Sequence, residues 1–153
     1  MTRIDFYTNV ESRERTACTI AAKALERGMR LLVLTADEAQ SDRLDRLLWT
    51  FAQLSFLPHV RANHPLAAQT PVIVDHAFDP LPHDEVLLNL TDATPQVFSR
   101  FQRLVEIVSL DPDDRQRARG RWRFYSERGY PLASHDLAKP AHSGAAAPRG
   151  VAG

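Results

Sequence analysis

Strand-type and helix-type apolar patterns alternate along this chain, and this order constrains its fold more than any other feature. Residues 3–7 alternate apolar and charged side chains, and residues 11–27 carry apolar side chains at helical spacing. Residues 31–34 form a continuous apolar run, which is typical of a strand covered on both faces. A capping-box pattern at residues 35–38 then opens a second helix. This alternation predicts a single three-layer α/β domain with a mainly parallel sheet.

The later segments fit the same architecture less regularly. The sequence predicts an edge strand or loop at 54–59, a loop at 61–70, a strand at 71–74, a loop at 75–84, a strand at 85–90, a short helix from 94 to 101, a last strand at 104–108 and a final helix from 111 to 128. The end of the chain is rich in Ala, Gly, Pro and Ser. We therefore expect one domain over residues 1–137 and a disordered tail over residues 138–153.

The turn after the first predicted strand carries no glycine, although nucleotide-binding α/β domains use glycines there. Glycines let the backbone approach a phosphate closely, whereas residues 7–12 have the sequence YTNVES. The chain also lacks the motifs of serine hydrolases and zinc proteases. We expect a Rossmann-like sheet without a phosphate-binding loop, with no cofactor and no catalytic residues. An enzyme that uses Asp37, Asp75 or Asp92 as acids at one edge of the sheet stays open as an alternative.

Two other groups of residues invite a chemical role on residue type alone. His76, Asp79 and His83 are metal-ligand types, but they fall in a proline-containing loop that fixes no ligand spacing. Cys18 lies near the apolar face of the first predicted helix with no histidine close in sequence, which favours a small buried side chain over a nucleophile. We therefore expect no metal site.

The charge balance argues against a general attraction to nucleic acid. The chain has 19 Lys and Arg against 19 Asp and Glu, so its formal net charge is zero. Its first residues contain no apolar signal segment, and no apolar run approaches the length of a membrane span, so the cytoplasm is the expected location. An anion site must therefore come from local clustering of arginines.

The strongest cluster of arginines lies on the final predicted helix. An Asp-Pro pair at residues 111–112 is suited to cap and start this helix. Arg115, Arg119 and Arg123 recur every four residues and form one line, called the arginine ridge below, with Trp122 beside it. Exposed guanidinium groups next to an indole suit an acidic, partly apolar ligand. The alternative is a solvated helix with Trp122 in the core.

Two large aromatic residues, Trp49 and Phe56, lie on either side of the junction between the second helix and a segment that contains Pro58. They are either core residues or part of an exposed apolar patch that binds a partner. The sequence leaves both interpretations open.

A series of short motifs in a particular order resembles a known family. These motifs are IDFY at 4–7, ALERG at 24–28, RLDRLLW at 43–49, SFLPH at 55–59, PVI at 71–73, and RGRWRFY at 119–125 followed by GY at 129–130. No one of them is specific alone, but their order and spacing over residues 2–137 resemble the chi subunit of bacterial DNA polymerase III, an accessory of the clamp loader. That family has an α/β fold without a phosphate loop.

The resemblance implies a non-catalytic protein that joins two partners during DNA replication. Chi-family proteins connect the clamp loader, through its psi subunit, to the acidic C-terminal tail of single-stranded DNA-binding protein. By this resemblance, Arg115, Arg119, Trp122 and Arg123 are expected to bind the tail. The resemblance likewise places Trp49 and Phe56 on the surface that contacts psi. The segment between residues 59 and 70 departs from the family pattern.

A protein that binds single-stranded nucleic acid directly through the arginine ridge is a second alternative. The zero net charge and the lack of another basic stripe argue against it.

Overall fold

The computed structural model describes residues 1–51 and 57–138, and these form seven strands and three α-helices. The elements are β1 Arg3–Val10, α1 Arg13–Glu26, β2 Leu31–Leu34, α2 Glu38–Phe51, β3 His59–Arg61, β4 Val72–Asp75, β5 Val86–Asn89, β6 Arg103–Ser109, α3 Pro112–Glu127 and β7 Leu132–Asp136. Short 3-10 helices at Ala67–Gln69 and Phe98–Arg100 complete the described chain. No helix in these ranges combines the length and the hydropathy needed to cross a bilayer.

The strands form one sheet in the order β3-β4-β2-β5-β6-β1-β7, and every neighbouring pair is parallel. Helices α1 and α2 cover one face, while α3 and the two 3-10 helices cover the other. This arrangement confirms the predicted three-layer α/β domain, and the sheet is parallel throughout the described residues. Right-handed crossovers connect parallel strands in folds of this kind, so helices accumulate on both faces.

Two apolar clusters lie on opposite faces of the sheet because successive side chains of a strand point in opposite directions. Leu31 and Val33 of β2 pack beneath α1 and α2, whereas Leu32 packs on the α3 side. All three side chains are fully buried or nearly so. The continuous apolar run at residues 31–34 therefore has the expected two-sided burial.

The first helix, predicted over residues 11–27, spans Arg13–Glu26 with Ser12 as its N-cap, and it ends before Gly28 as predicted. The Ser12 hydroxyl accepts a hydrogen bond from the Arg15 N–H at 3.1 Å, and Gly28 follows the helix with a φ of 69°. Cys18 is fully buried on this helix, and burial raises the pKa of its thiol to about 12. Its burial confirms the prediction of a small buried side chain, and the raised pKa disfavours the thiolate form.

Three element predictions are wrong. Residues 104–108 do not form the last strand, because β7 at Leu132–Asp136 follows α3 and pairs with β1. The short helix predicted from residue 94 is only the 3-10 helix Phe98–Arg100. Another 3-10 helix, Ala67–Gln69, interrupts the loop predicted at residues 61–70. The third strand begins at His59, and the predicted segment 54–59 lies partly outside the described residues.

Candidate partner-binding site on the last helix

Helix α3 begins at a well-formed cap. Asp111 has extended backbone geometry and its carboxylate accepts from the N–H of Asp114 at 3.1 Å, and Pro112 occupies the first helical position. The buried Asp114 carboxylate accepts in turn from the N–H and the hydroxyl of Ser109, at 2.8 and 2.9 Å. The Asp111 cap and Pro112 confirm the predicted start of α3, and the bonds of Asp114 tie that start to the end of β6.

A buried ion pair fixes the rotation of α3 on the sheet. Arg121 is 3% exposed, and its Nε donates to Oε1 of the fully buried Glu106 on β6 at 3.1 Å. The Tyr125 hydroxyl donates to the other Glu106 oxygen at 2.6 Å, and the Asn89 amide donates to both oxygens at 3.2 Å. Arg121 also donates to the carbonyl of Asp92 at 3.0 Å. Sequence analysis missed this anchor, and the signal for it is the single carboxylate within the apolar strand 104–108.

Burial and hydrogen bonding have opposite effects on the pKa of Glu106. Burial raises the pKa of this carboxyl, while the Arg121 guanidinium and the Tyr125 hydroxyl oppose that rise. Burial, together with the Glu106 charge, also raises the pKa of the Tyr125 phenol, so this hydroxyl stays protonated and donates. The Tyr125 hydroxyl is therefore the donor in its contact with Glu106.

The three side chains of the arginine ridge point away from this anchor. Arg115, Arg119 and Arg123 are exposed, and within the described ranges none of them forms an ion pair. Arg119 donates to the side-chain oxygen of Gln116 at 3.3 Å. The helix therefore presents cationic groups to solvent, as the four-residue spacing predicts.

Trp122 lies between the exposed and the buried parts of α3. Its ring packs edge-on against Phe6 of β1 with the ring centroids 5.0 Å apart, and the side chain is partly buried. Trp122 packs against the core cluster on the α3 side, as the alternative interpretation predicts, but it keeps part of its surface accessible. The indole is thus held in place by the core while one part of it faces the solvent beside the arginine ridge.

A cavity of about 240 Å³ lies between α3 and strands β1 and β7, and is called the α3–β7 cavity below. It is lined by Phe6, Thr8, Asn9, Val108, Arg115, Ala118, Arg119, Trp122 and Ser134. Three of the four predicted tail-binding residues, Arg115, Arg119 and Trp122, therefore share one cavity, and Arg123 lies outside its lining. The combination of two guanidinium groups with an aromatic wall can hold a carboxylate next to an apolar group.

Asn9, which lines this cavity, has an unusual backbone conformation. Asn9 has a φ of 61°, a left-handed value that asparagine tolerates better than most residues, and it lies at an irregularity in the pairing of β1 with β6. Its side-chain amide donates to Asp136 of β7 at 3.0 Å. Asn9 therefore links β1 to the end of β7 beside the α3–β7 cavity, which the sequence did not indicate.

The second predicted surface is only partly described. Trp49 lies on α2 with 57% of its surface exposed, and its ring packs edge-on against His59 at a centroid distance of 4.8 Å. The interpretation of Trp49 as a core residue is therefore wrong. Phe56 lies outside the described residues. Helices α2 and α3 cover opposite faces of the sheet, so Trp49 and the arginine ridge are on different layers.

The acids considered for an enzyme have structural contacts instead. Asp37 accepts from the N–H of Gln40 at 2.8 Å and starts α2, while Asp92 pairs with Arg13 at 3.2 Å. Asp75 accepts from Arg61 at 2.8 Å; burial alone would raise the pKa of Asp75, but this bond and two backbone donors outweigh burial and lower it.

The three loop residues of metal-ligand type, His76, Asp79 and His83, do not form one group among the described residues. His76 contacts Glu38 and Asp75 and not Asp79 or His83, as far as the described residues extend. Arg61 lies among Glu38, Asp42 and Asp75, at 2.8 to 3.3 Å, and offsets part of the negative charge of this acidic cluster.

The fold and its surface define a class of α/β domain that lacks a glycine-rich phosphate loop and exposes a cationic face on its last helix. The model of the family described as DNA polymerase III chi subunit, HolC, matches residues 1–133 of the chain. The chain belongs to this family, which confirms the resemblance found in the motifs.

Individual relatives agree with the family match. The chain is 40% identical over 141 residues to DNA polymerase III subunit chi of Pseudomonas aeruginosa, covering 90% of this chain and 98% of that protein. It is 30% identical over 120 residues to the Escherichia coli subunit chi, covering 78% and 82%. It is 25% identical over 125 residues to the Haemophilus influenzae subunit chi, covering 81% and 87%. Family membership gives the chain an accessory role in DNA replication.

Proposed function

We propose that this protein is a non-catalytic bridge that joins the psi subunit of the clamp loader to the acidic C-terminal tail of single-stranded DNA-binding protein. It does so during DNA replication in the cytoplasm. The tail binds at the α3–β7 cavity and along the arginine ridge, and psi binds the surface that includes Trp49 and Phe56.

The observation that supports tail binding most strongly is the α3–β7 cavity. It brings together Arg115, Arg119 and Trp122, which lie three to seven positions apart along α3 and so share one face of the helix. A terminal carboxylate or an aspartate of the tail accepts bidentate hydrogen bonds from a guanidinium. An apolar tail side chain packs on the accessible part of Trp122. Arg123, outside the cavity lining, contacts a more distant acidic residue of the tail.

The support for a separate psi surface is the position of Trp49. A tryptophan with 57% of its surface exposed is a typical anchor for a protein partner, because its large ring gains contact area without losing much conformational freedom. Trp49 is on the face of the sheet opposite α3, which allows both partners to bind at the same time.

A pull-down with single-stranded DNA-binding protein tests this function. The full-length partner is expected to bind this chain, and the same partner without its last residues is expected not to bind. Arg119→Ala is expected to lose the interaction, while the matched control Arg15→Ala, at an exposed arginine on α1, is expected to keep it. Equal capture of the full-length and the truncated partner would contradict the proposal.

A direct nucleic-acid binder is the competing function, since exposed arginines also bind phosphates. Titration with naked single-stranded DNA and with the acidic tail peptide separates the two. Tighter binding to DNA than to the peptide, lost on Arg119→Ala, would replace the proposed bridge by direct DNA binding.

A further inference from the structure

Strand β7 is at the end of the sheet, so one of its edges has no neighbouring strand within the described residues. The Ile4 N–H donates to the carbonyl of Pro131, and the Leu137 N–H donates to the carbonyl of Thr8, both at 3.0 Å. Backbone groups of successive residues in a strand point alternately to its two edges. The odd-numbered residues from 131 to 137 therefore bond to β1.

The even-numbered residues of β7 direct their backbone N–H and C=O groups away from β1. These are Leu132, Ser134 and Asp136. An edge of this kind is a template for another strand, because its donors and acceptors have the spacing of a sheet ladder. Of these three, Ser134 is exposed, and it lies at the centre of the strand.

The same edge borders the proposed tail site. Ser134 pairs in register with Phe6, so its side chain points to the α3 side of the sheet, where it lines the α3–β7 cavity with Arg119 and Trp122. Ser134 is exposed to solvent and also lines the cavity, so it belongs both to the outer part of β7 and to the cavity wall. A ligand in this cavity is therefore within reach of the Ser134 backbone.

We propose that an acidic peptide binds here in an extended conformation, as an added strand along β7, with the arginine ridge holding its carboxylates. The inference rests on the proposed function, because the peptide is taken to be the acidic tail of single-stranded DNA-binding protein. Alternate side chains of an added strand point to one face of the sheet. One set of tail side chains thus meets Trp122 and Arg119, while the main chain bonds to Ser134.

Charge complementarity favours this edge over the opposite one. Strand β3 ends the sheet on the other side, is three residues long, and carries Arg61 surrounded by the carboxylates of Glu38, Asp42 and Asp75. An acidic peptide is repelled there, since three carboxylates exceed one guanidinium. The β7 edge faces exposed arginines that lack ion-pair partners among the described residues.

Replacing Ser134 separates a main-chain contact from a side-chain contact. Ser134→Pro removes the outward N–H at an edge position, where proline is tolerated in a sheet. Ser134→Ala keeps the N–H and removes only the hydroxyl. With a fluorescent peptide of the tail, anisotropy titration is expected to give binding weaker by about tenfold or more for Ser134→Pro and within about twofold of wild type for Ser134→Ala. Thermal melts of both variants should match the wild type.

Any different outcome overturns the inference, and each one points to a different cause. If Ser134→Pro binds the tail peptide as tightly as wild type while Arg119→Ala does not bind it, the proposed tail site is supported and the added strand is wrong. If the wild-type chain does not bind the peptide, the proposed function fails and the inference fails with it. If the edge instead pairs two copies of this chain, sedimentation equilibrium shows a dimer that Ser134→Pro dissociates.

A second measurement covers the case in which Ser134→Pro does not fold. Tail peptides that are N-methylated at one amide at a time are titrated against the wild-type chain. Loss of affinity at alternate amides, with little change at the amides between them, is expected for an added strand. Equal affinity for all the methylated peptides would overturn the inference.

Discussion

Among single residues, Arg121 has the clearest structural role that the sequence does not reveal. Among the described residues, Arg121 is the cation paired with the buried Glu106, so Arg121→Met leaves that carboxylate without its cation. We expect this variant to lose about 3–5 kcal/mol of unfolding free energy, measured by urea denaturation. Arg123→Met, two residues further on at an exposed position, is the matched control and is expected to change stability by less than about 0.5 kcal/mol. Equal unfolding midpoints for the two variants would show that the buried pair does not anchor α3.

Asp5 on β1 contacts residues of the two neighbouring strands, and these contacts predict that the stability of the fold depends on pH. Its buried carboxylate accepts from Arg103 on β6 at 2.7 Å and contacts His135 on β7 at 3.0 Å. Burial alone would raise the pKa of Asp5, but the hydrogen bonds from His135 and Arg103 outweigh burial and lower it below its usual value of 3.8. The unfolded chain therefore binds a proton at a higher pH than the folded chain does.

The stability that the Asp5 contacts contribute is fully present above the pKa of Asp5 in the unfolded chain. It is lost as the pH falls through the pKa of Asp5 in the folded chain. We expect Asp5→Asn to be less stable than wild type at neutral pH and to lose less stability between about pH 4 and about pH 2. Urea denaturation over this range measures both effects, and Asp84→Asn, at an exposed loop position, is the control. Parallel pH profiles for wild type and Asp5→Asn would contradict this role.

At the level of elements, α3 was largely predictable and β7 was not. The cap at Asp111 and the four-residue arginine spacing are local signals, because each acts within the helix that contains it. Arg121 belongs to the same arginine-rich helix, and only the distant Glu106 distinguishes it from the ridge. The sequence of β7, LASHD, has little apolar alternation. Backbone pairing with β1 defines this edge strand, and such pairing leaves no pattern in the sequence. Helical spacing likewise left Trp49 undecided, since it is adjacent to the buried Leu48.

The exposure of the arginine ridge predicts that tail binding depends on salt. Charges on exposed side chains are screened beyond about 8–10 Å at physiological ionic strength, so the affinity for the tail peptide is expected to fall as salt rises. The contact with Trp122 and the backbone contacts at β7 are expected to leave a residual affinity that salt does not remove. Isothermal titration over a salt series measures this, and an affinity that is constant across the series would exclude an arginine-led site.

For the whole molecule, the two proposed surfaces are separable because the sheet lies between them. Arg119→Ala or Trp122→Ala is expected to weaken tail binding by about 2 kcal/mol or more and to leave psi binding unchanged. Trp49→Ala and Phe56→Ala are expected to have the opposite effect. Binding assays for both partners, with circular dichroism melts of all four variants, test this separation. Variants of Trp49 or Phe56 that lose both partners equally, with a lower melting temperature, would show that these aromatics act through stability alone.

A bridging protein must hold both partners at once. The most direct test is to titrate the tail peptide into the chain alone and into its complex with psi. Because the surfaces lie on opposite layers, the two dissociation constants are expected to agree within about twofold, which corresponds to almost no coupling between the sites. Displacement of the tail peptide by psi would contradict the bridge, since it would mean that the two partners compete for a single surface.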